Sequence, residues 1–393
     1  MTGERAANAP TQHNLRLLIA TSAANGLAFL PPATLPWLSA HLIADAHMSE
    51  TLAGGVATMQ LALLALFAIG LGATVHRLPR RALALGAGAA ATAAAAALTL
   101  LNPPAHATIA LLCLIGAGAG ACCAVANSWL GAAADPGKQT ASMWTLLLIW
   151  QALLWFVLPP IAEAWGSAGL FGVIAANASV FTLLLLLAPN TKQNAVAAAD
   201  DRPASARSIP ISLLAVALVC TIAFWLRDSL VWSLAAQRAD ALGVDAHAFS
   251  VVLSAGATLG FLGPLAARLL GMRLGALRTL LLTLTPVGVA TIAIAAAGLA
   301  PFYLGSFLFW SSTSIFAWTI VVGVLVMLDA SGRLAAICGG TVFAASALGP
   351  FVGGLLLERF SSTALPIAVA ALTAVTFLAA IPLARAFVQE KLP

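Results

Sequence analysis

The chain has 393 residues, of which 61% are hydrophobic and 8% are charged. A soluble domain carries roughly 25% charged residues, so most of this chain cannot face water, and a soluble multidomain protein is excluded. The net charge of +5 predicts no nucleic-acid partner, because the basic residues lie where they orient membrane segments, as shown below.

The first 13 residues are polar, and an apolar run follows from Leu15 to Ser39. That run exceeds a signal-peptide core of about 7–15 residues, although Ala44-Asp45-Ala46 loosely resembles a cleavage site. It is therefore taken as a first membrane span. A span needs about 20 mainly apolar residues, and that ruler yields spans at 15–39, 50–75, 82–101, 107–132, 141–162, 168–188, 209–236, 247–267, 275–298, 302–328, 334–357 and 364–387. In lipid each segment must satisfy its own backbone, so these are helices. Turn formers separate several of them, as at Asn102-Pro103-Pro104 and Asp135-Pro136-Gly137. Residues 189–208 are polar and rich in Pro, Ser and mixed charge, and read as a linker. The expected organisation is an all-α membrane protein. A tail (1–14) precedes a six-helix half (15–188), the linker (189–208), a second six-helix half (209–387) and a short tail (388–393).

Placing both termini and the linker in the cytoplasm puts Arg238 and Arg359 outside and Arg227 within a span. All the remaining Lys and Arg of the 18 then fall on the cytoplasmic side, as the positive-inside rule requires. The expected location is a bacterial inner membrane, multi-pass. Cys113, Cys122, Cys123, Cys220 and Cys338 lie in apolar runs without metal-ligand spacing and read as small buried hydrophobes. The histidines, His41 among them, read as loop or tail positions. No glycine-rich phosphate loop with Lys is present. Neither a cofactor, a metal nor enzymatic activity is expected.

The two halves carry related patterns. Ala28-Phe29, Leu35 and Trp37 in span 1 match Ala223-Phe224, Leu230 and Trp232 in span 7 at identical spacing. Gly72, His76, Arg77, Arg80 and Arg81 follow span 2, while Gly263, Arg268, Gly271 and Arg273 follow span 8. Span 11 holds Gly349-Pro350-Phe-Val-Gly353-Gly354. These features resemble the major facilitator superfamily, whose signature loop has a Gly, an Asp-Arg pair, a second Gly and basic residues, and whose packing motif is Gly-Pro-x-x-Gly-Gly. The match is partial. His76 and Ala267 replace the aspartate, Pro79 replaces the second glycine, span 5 keeps only the proline of the packing motif (Leu158-Pro159-Pro160), and the family's span-4 arginine is absent. The resemblance covers the whole chain but identifies no subfamily. It implies twelve helices in two pseudo-symmetric halves, with spans 1, 4, 7 and 10 around a central cavity.

Candidate substrate or coupling residues follow. Asn25, Gln60 and Gln151 fall near the middle of spans 1, 2 and 5, where a buried amide is costly unless paired; they face water, each other, or serve as helix-to-helix glue. Arg227 and Asp228 are charges within span 7, which makes them functional candidates by default, unless both snorkel to the outer surface. Thr221, Trp225, Asp228 and Trp232 share one helical face, and Arg227 is rotated about 100° from Asp228. Trp310, Ser314 and Trp318 form a further stripe in span 10. Aromatic faces with few polar groups suit an amphipathic organic molecule or a cation, and core packing explains each Trp equally well. In the loops, a small residue at Gly72 or Gly263 permits close helix approach, while Arg77, Arg80, Arg81, Arg268 and Arg273 dock on helix C-terminal ends. Small residues at Gly116, Gly118 and Gly120 permit close contact too.

The expected function is secondary transport of a small organic molecule by alternating access, driven by an ion gradient or by substrate exchange, either as efflux of an amphipathic compound or as uptake of a metabolite, with Asp228 as the proton- or charge-sensing residue and Arg227 binding an anionic group or pairing with Asp228. Partners would be the bilayer, the substrate and protons, with the chain a monomer. The alternative is a transporter-like fold acting as a non-transporting sensor or membrane partner.

Overall fold

The computed structural model describes residues 4–72, 74–101, 103–131, 133, 136–188, 210–260, 262, 276–328, 333–360 and 363–390. They form α1 (Glu4–Ala44), α2 (Glu50–Gly72), α3 (Arg80–Leu101), α4 (Ala105–Gly131), α5 (Pro136–Leu184), α6 (Ile211–Ser233), α7 (Ala235–Ala241), α8 (Ala246–Gly260), α9 (Ala276–Ala296), α10 (Ala300–Leu328), α11 (Arg333–Arg359) and α12 (Ala364–Glu390), with 3₁₀ turns at Val75–Arg77 and Leu185–Leu187. No strand occurs among the described residues. Among the described residues, ten helical segments are long and apolar enough to cross a membrane. In hydrocarbon only a helix or a closed barrel satisfies its backbone internally, and these sequences take the helical solution throughout.

Several boundaries differ from the sequence expectation. The spans expected at 141–162 and 168–188 are two helical stretches within α5 that meet at Gly166 (φ 54°, ψ −135°), and the second runs on into the 3₁₀ turn Leu185–Leu187. One glycine in a region that other residues rarely enter turns the chain where five residues of loop were expected. Of the span expected at 247–267, residues 247–260 are helical in α8, and 261 and 263–267 lie outside the described residues. The loop bearing Gly263, Arg268 and Arg273 lies outside the described residues, as does the linker 189–208. His41, expected in a loop, occupies the last turn of α1 and pairs with Asp45 at 2.7 Å.

The chain packs as two compact units that do not follow chain order. One holds Met1–Thr34, Gln60–Trp150 and Ser167–Pro203; the other holds Leu35–Met59, Gln151–Gly166 and Ala204–Pro393. In the first unit, helices meet through small residues. Gly116 and Gly120 of α4, one turn apart, lie against the backbone of Gln60 and Leu64 on α2, where a Cβ would collide with the carbonyl oxygens. Gly118 faces α3, where a Cβ would sit 2.8 Å from the Ala87 carbonyl. The alanine-rich α3 buries Ala84, Gly88, Ala91, Ala95 and Leu98, a stripe at helical period. In hydrocarbon no hydrophobic force draws helices together, so such close backbone contact supplies the attraction. In the second unit, α6 packs on α11 and α12, α9 on α10 and α12, and α8 on α10.

Candidate functional site

α6 places Arg227 and Asp228 inside the second unit, 0% and 3% exposed. Neither reaches a surface. Asp228 lies five residues before the end of α6, about 8 Å along its axis, yet its partners on α10 sit at the middle of that helix.

A buried charge needs an opposite charge and hydrogen bonds to fill its remaining valences. Asp228 has both. Its Oδ1 accepts from Arg227 Nε at 2.8 Å and Nη2 at 2.6 Å. Its Oδ2 accepts from Trp310 Nε1 at 3.1 Å and Ser314 Oγ at 2.8 Å. Trp310 and Ser314 stand one turn apart on α10, so one helical face delivers both donors. Consecutive residues on a helix diverge by about 100°, but the long arginine side chain folds back to its neighbour. Its Cζ lies 4.6 Å over the Phe224 ring, where the face of the ring favours the cation. The other guanidinium nitrogen, Nη1, has no hydrogen-bond partner among the described residues. It points toward Gly288 of α9, where a Cβ would lie 3.9 Å from Nη1 and 2.8 Å from Thr373 Cγ2 of α12. The missing side chain at Gly288 makes room for Thr373 of α12, beside the guanidinium.

Aromatic rings lie on both sides of the carboxylate. Toward the start of α6, Trp225 meets Trp318 at 5.4 Å and Phe224 at 5.8 Å, and Trp318 also meets Phe224 at 5.8 Å. Trp225 and Trp318 are half-buried, and the Trp225 indole N–H finds no acceptor among the described residues. Toward the end of α6, Trp232 stacks on Trp310 at 5.7 Å and 23°. Trp155 of α5 and Trp37 of α1 complete that cluster, 4.8 Å and 6.0 Å from Trp232. The spacing match of Trp37 with Trp232 gives no hint that the two rings touch. The depth of a tryptophan in its span is the one signal that would have grouped them.

Of the three amides, Asn25 donates to Met143 Sδ at 2.7 Å and to the Thr21 carbonyl at 3.4 Å in the first unit. Gln60, in the same unit, is 3% exposed and its Oε1 has no partner among the described residues. Gln151 is half-buried on α5 in the second unit. Trp150 of the first unit donates to Asn177 at 2.8 Å, an amide that the sequence reading passed over.

The loop residues sit at helix ends. Gly72 closes α2, Arg77 ends the 3₁₀ turn, and Arg80 and Arg81 open α3. Arg81 donates to the Leu186 carbonyl at 2.7 Å, placing a cation on an exposed carbonyl end. On α11, Gly349 lies against Ser229, Gly353 against Leu234, and Gly354 against the Glu50 backbone, while the Pro350 carbonyl lies against Gly54. Among the described residues no cluster of His, Cys, Asp and Glu has metal-binding geometry.

No protein-family model and no curated protein matches the chain by sequence. Solved structures match along nearly its whole length. The inward-open xylose transporter XylE from E. coli is 15% identical, with a TM-score of 0.71 over 93% of this chain and 94% of that one. The POT family transporter PepTSo is 12% identical, with a TM-score of 0.70 over 96% and 98%. The nucleoside transporter NupG is 13% identical, with a TM-score of 0.68 over 94% and 99%. At these identities the likeness is one of fold: the chain has the fold of major facilitator transporters, as its loop and packing motifs led one to expect.

Proposed function

We propose that the chain is a secondary transporter that carries a small organic molecule by alternating access, with proton movement at Asp228 coupled to transport. It crosses the membrane twelve times in two six-helix halves, with both termini and residues 189–208 in the cytoplasm. The reading counts α5 as two crossings joined at Gly166 and α8 as the start of another. The fold supports transport, and the names of its structural neighbours span a D-xylose-proton symporter, a nucleoside transporter and peptide transporters.

The observation that carries the coupling is the closed set of four hydrogen bonds on one buried carboxylate. Protonation of Asp228 would cancel the charge that holds Arg227 and convert an acceptor into a donor, so the guanidinium, the indole and the Ser314 hydroxyl would all lose their partner's charge. Because Trp310 is both a donor to Asp228 and the stacking partner of Trp232, loss of that bond is transmitted to the Trp37–Trp155–Trp232 cluster. The half-buried rings of Trp225 and Trp318 form the wall left for the substrate.

The test is flux in proteoliposomes, with D-xylose, a nucleoside, a dipeptide and an amphipathic organic cation as probes. Asp228→Asn is expected to abolish accumulation driven by a pH gradient while exchange at equal concentrations persists. Normal gradient-driven accumulation by the variant refutes the proton role. Loss of both activities in a folded variant assigns Asp228 to substrate contact or to structure.

A further inference from the structure

Pro350 breaks the hydrogen-bond ladder of α11, and the two carbonyls that precede it find their donors on other helices. Proline has no N–H and its ring crowds the carbonyl four residues back, which here is that of Ser346. That carbonyl accepts instead from Ser229 Oγ of α6 at 2.6 Å. The next position of the ladder joins Phe351 N–H to the Ala347 carbonyl in a regular helix. Thr58 of α2 bridges its two ends: Thr58 Oγ1 donates to the Ala347 carbonyl at 2.5 Å and accepts from Phe351 N–H at 3.2 Å. Thr58 is some 290 residues away in the chain, so this is a contact between distant helices of the second unit and no local cap. The small residues around it allow the approach, with Gly54 of α2 against the Pro350 carbonyl and Gly354 of α11 against the Glu50 backbone. At the same end, Glu358 of α11 accepts from the Thr51 N–H of α2 at 2.9 Å.

We infer that the Thr58 hydroxyl is a separable clasp between α2 and α11, which holds one face of the transporter shut by completing the broken backbone of α11. The inference rests on the alternating-access reading, since a clasp has a role only where the two helices part. A hydroxyl suits this task. When the helices separate, the Ala347 carbonyl and Phe351 N–H can bond to water or to each other and the hydroxyl to water, so opening leaves no group orphaned in lipid. A purely apolar contact would hold the helices without setting their register, and an ion pair would be costly to open and rebury. Ser229 differs in kind: it lies on α6, a helix of the same half of the chain as α11, and satisfies Ser346 whether the face is open or shut.

The experiment is a pair of spin labels at Leu52→Cys on α2 and Phe360→Cys just past the end of α11, both exposed positions, in the full chain reconstituted in liposomes with the five native cysteines replaced. The measured quantity is the ratio of long to short label separations. Thr58→Val removes the hydroxyl at nearly constant shape and is expected to raise that ratio about tenfold, a change appropriate to losing one net hydrogen bond and exposing two unmet groups. Thr58→Ser is expected to restore the parent ratio, and Ser229→Ala to lower thermal stability without raising the ratio. A Thr58→Val ratio equal to the parent's, with both separations populated, overturns the clasp and leaves alternating access standing. A single short separation in parent and all variants overturns both.

Discussion

The two halves of α2 pack in opposite manners. From Gln60 onward, in the first unit, α2 meets α4 through Gly116 and Gly120, backbone on backbone. Before Met59, in the second unit, α2 meets α11 through glycines as well, but with Thr58 bonded to the proline-broken backbone and Glu358 on the Thr51 amide. One helix thus makes an apolar, shape-locked contact over one half and a polar, hydroxyl-bridged contact over the other. The same contrast runs through both interiors. The first unit joins its helices through glycine and alanine seams and a few isolated polar contacts such as Trp150 on Asn177, whereas the second holds a buried ion pair with indole and hydroxyl donors on its carboxylate. A glycine seam has no alternative arrangement of equal energy. A hydroxyl or a charge pair has one wherever water or a proton arrives.

The largest test of this contrast is on the polar side. Asp228→Asn leaves Arg227 as an uncompensated buried cation and is expected to cost about 3–5 kcal/mol, read as a fall in melting temperature. The charge-neutral pair Arg227→Met with Asp228→Asn is expected to recover most of that loss. If the double variant is no more stable than the single, the pair is not coupled as drawn. On the apolar side, Gly116→Val drives a side chain into the Gln60 carbonyl, an obstacle that cannot rotate away, and is expected to cost about 3 kcal/mol or to abolish folding. A well-folded variant measured by size-exclusion and thermal melting would show that the seam is loose. Trp310→Phe keeps a stacked ring on Trp232 and removes one charge-assisted bond to Asp228; a loss of about 1.5 kcal/mol is expected, with gradient-driven accumulation falling more than exchange. The smallest effect belongs to Arg81→Ala, which removes a cation from the Leu186 carbonyl; about 0.5 kcal/mol is expected, with slower transport and unchanged substrate affinity. Arg77→Ala is expected to slow transport in the same way. A large loss of substrate binding in either would place these side chains at the site.

Legibility followed the length scale of each signal. Apolar runs of 20 or more residues are insensitive to detail, so spans and their order could be read directly: twelve were expected, and ten helical segments among the described residues are long and apolar enough to cross a membrane. The break between residues 162 and 168 was legible, but that the single residue Gly166 makes it was not, because only the backbone angle shows its positive φ. Asp228 and Ser314 were legible as polar residues in apolar helices, but not as bonded to each other, since they are 86 residues apart. Thr58 was passed over because threonine in a membrane helix ordinarily bonds its own preceding carbonyl, as Thr21, Thr34 and Thr291 do here. A proline in a neighbouring span is the clue that a hydroxyl is wanted from elsewhere.

By itself the sequence determined that this chain lies in a membrane, that its segments are helices, which of them carry charge, and which fold its motifs resemble. Those are properties of short stretches against a solvent, and hydrocarbon judges each stretch separately. Only the tertiary structure decided that Arg227 turns back to Asp228, that Trp310 and Ser314 complete the carboxylate, and that Thr58 and Ser229 mend α11. Each of these depends on which helix lies beside which, and in an apolar solvent that choice is made by the fit of small residues and the satisfaction of a few polar groups.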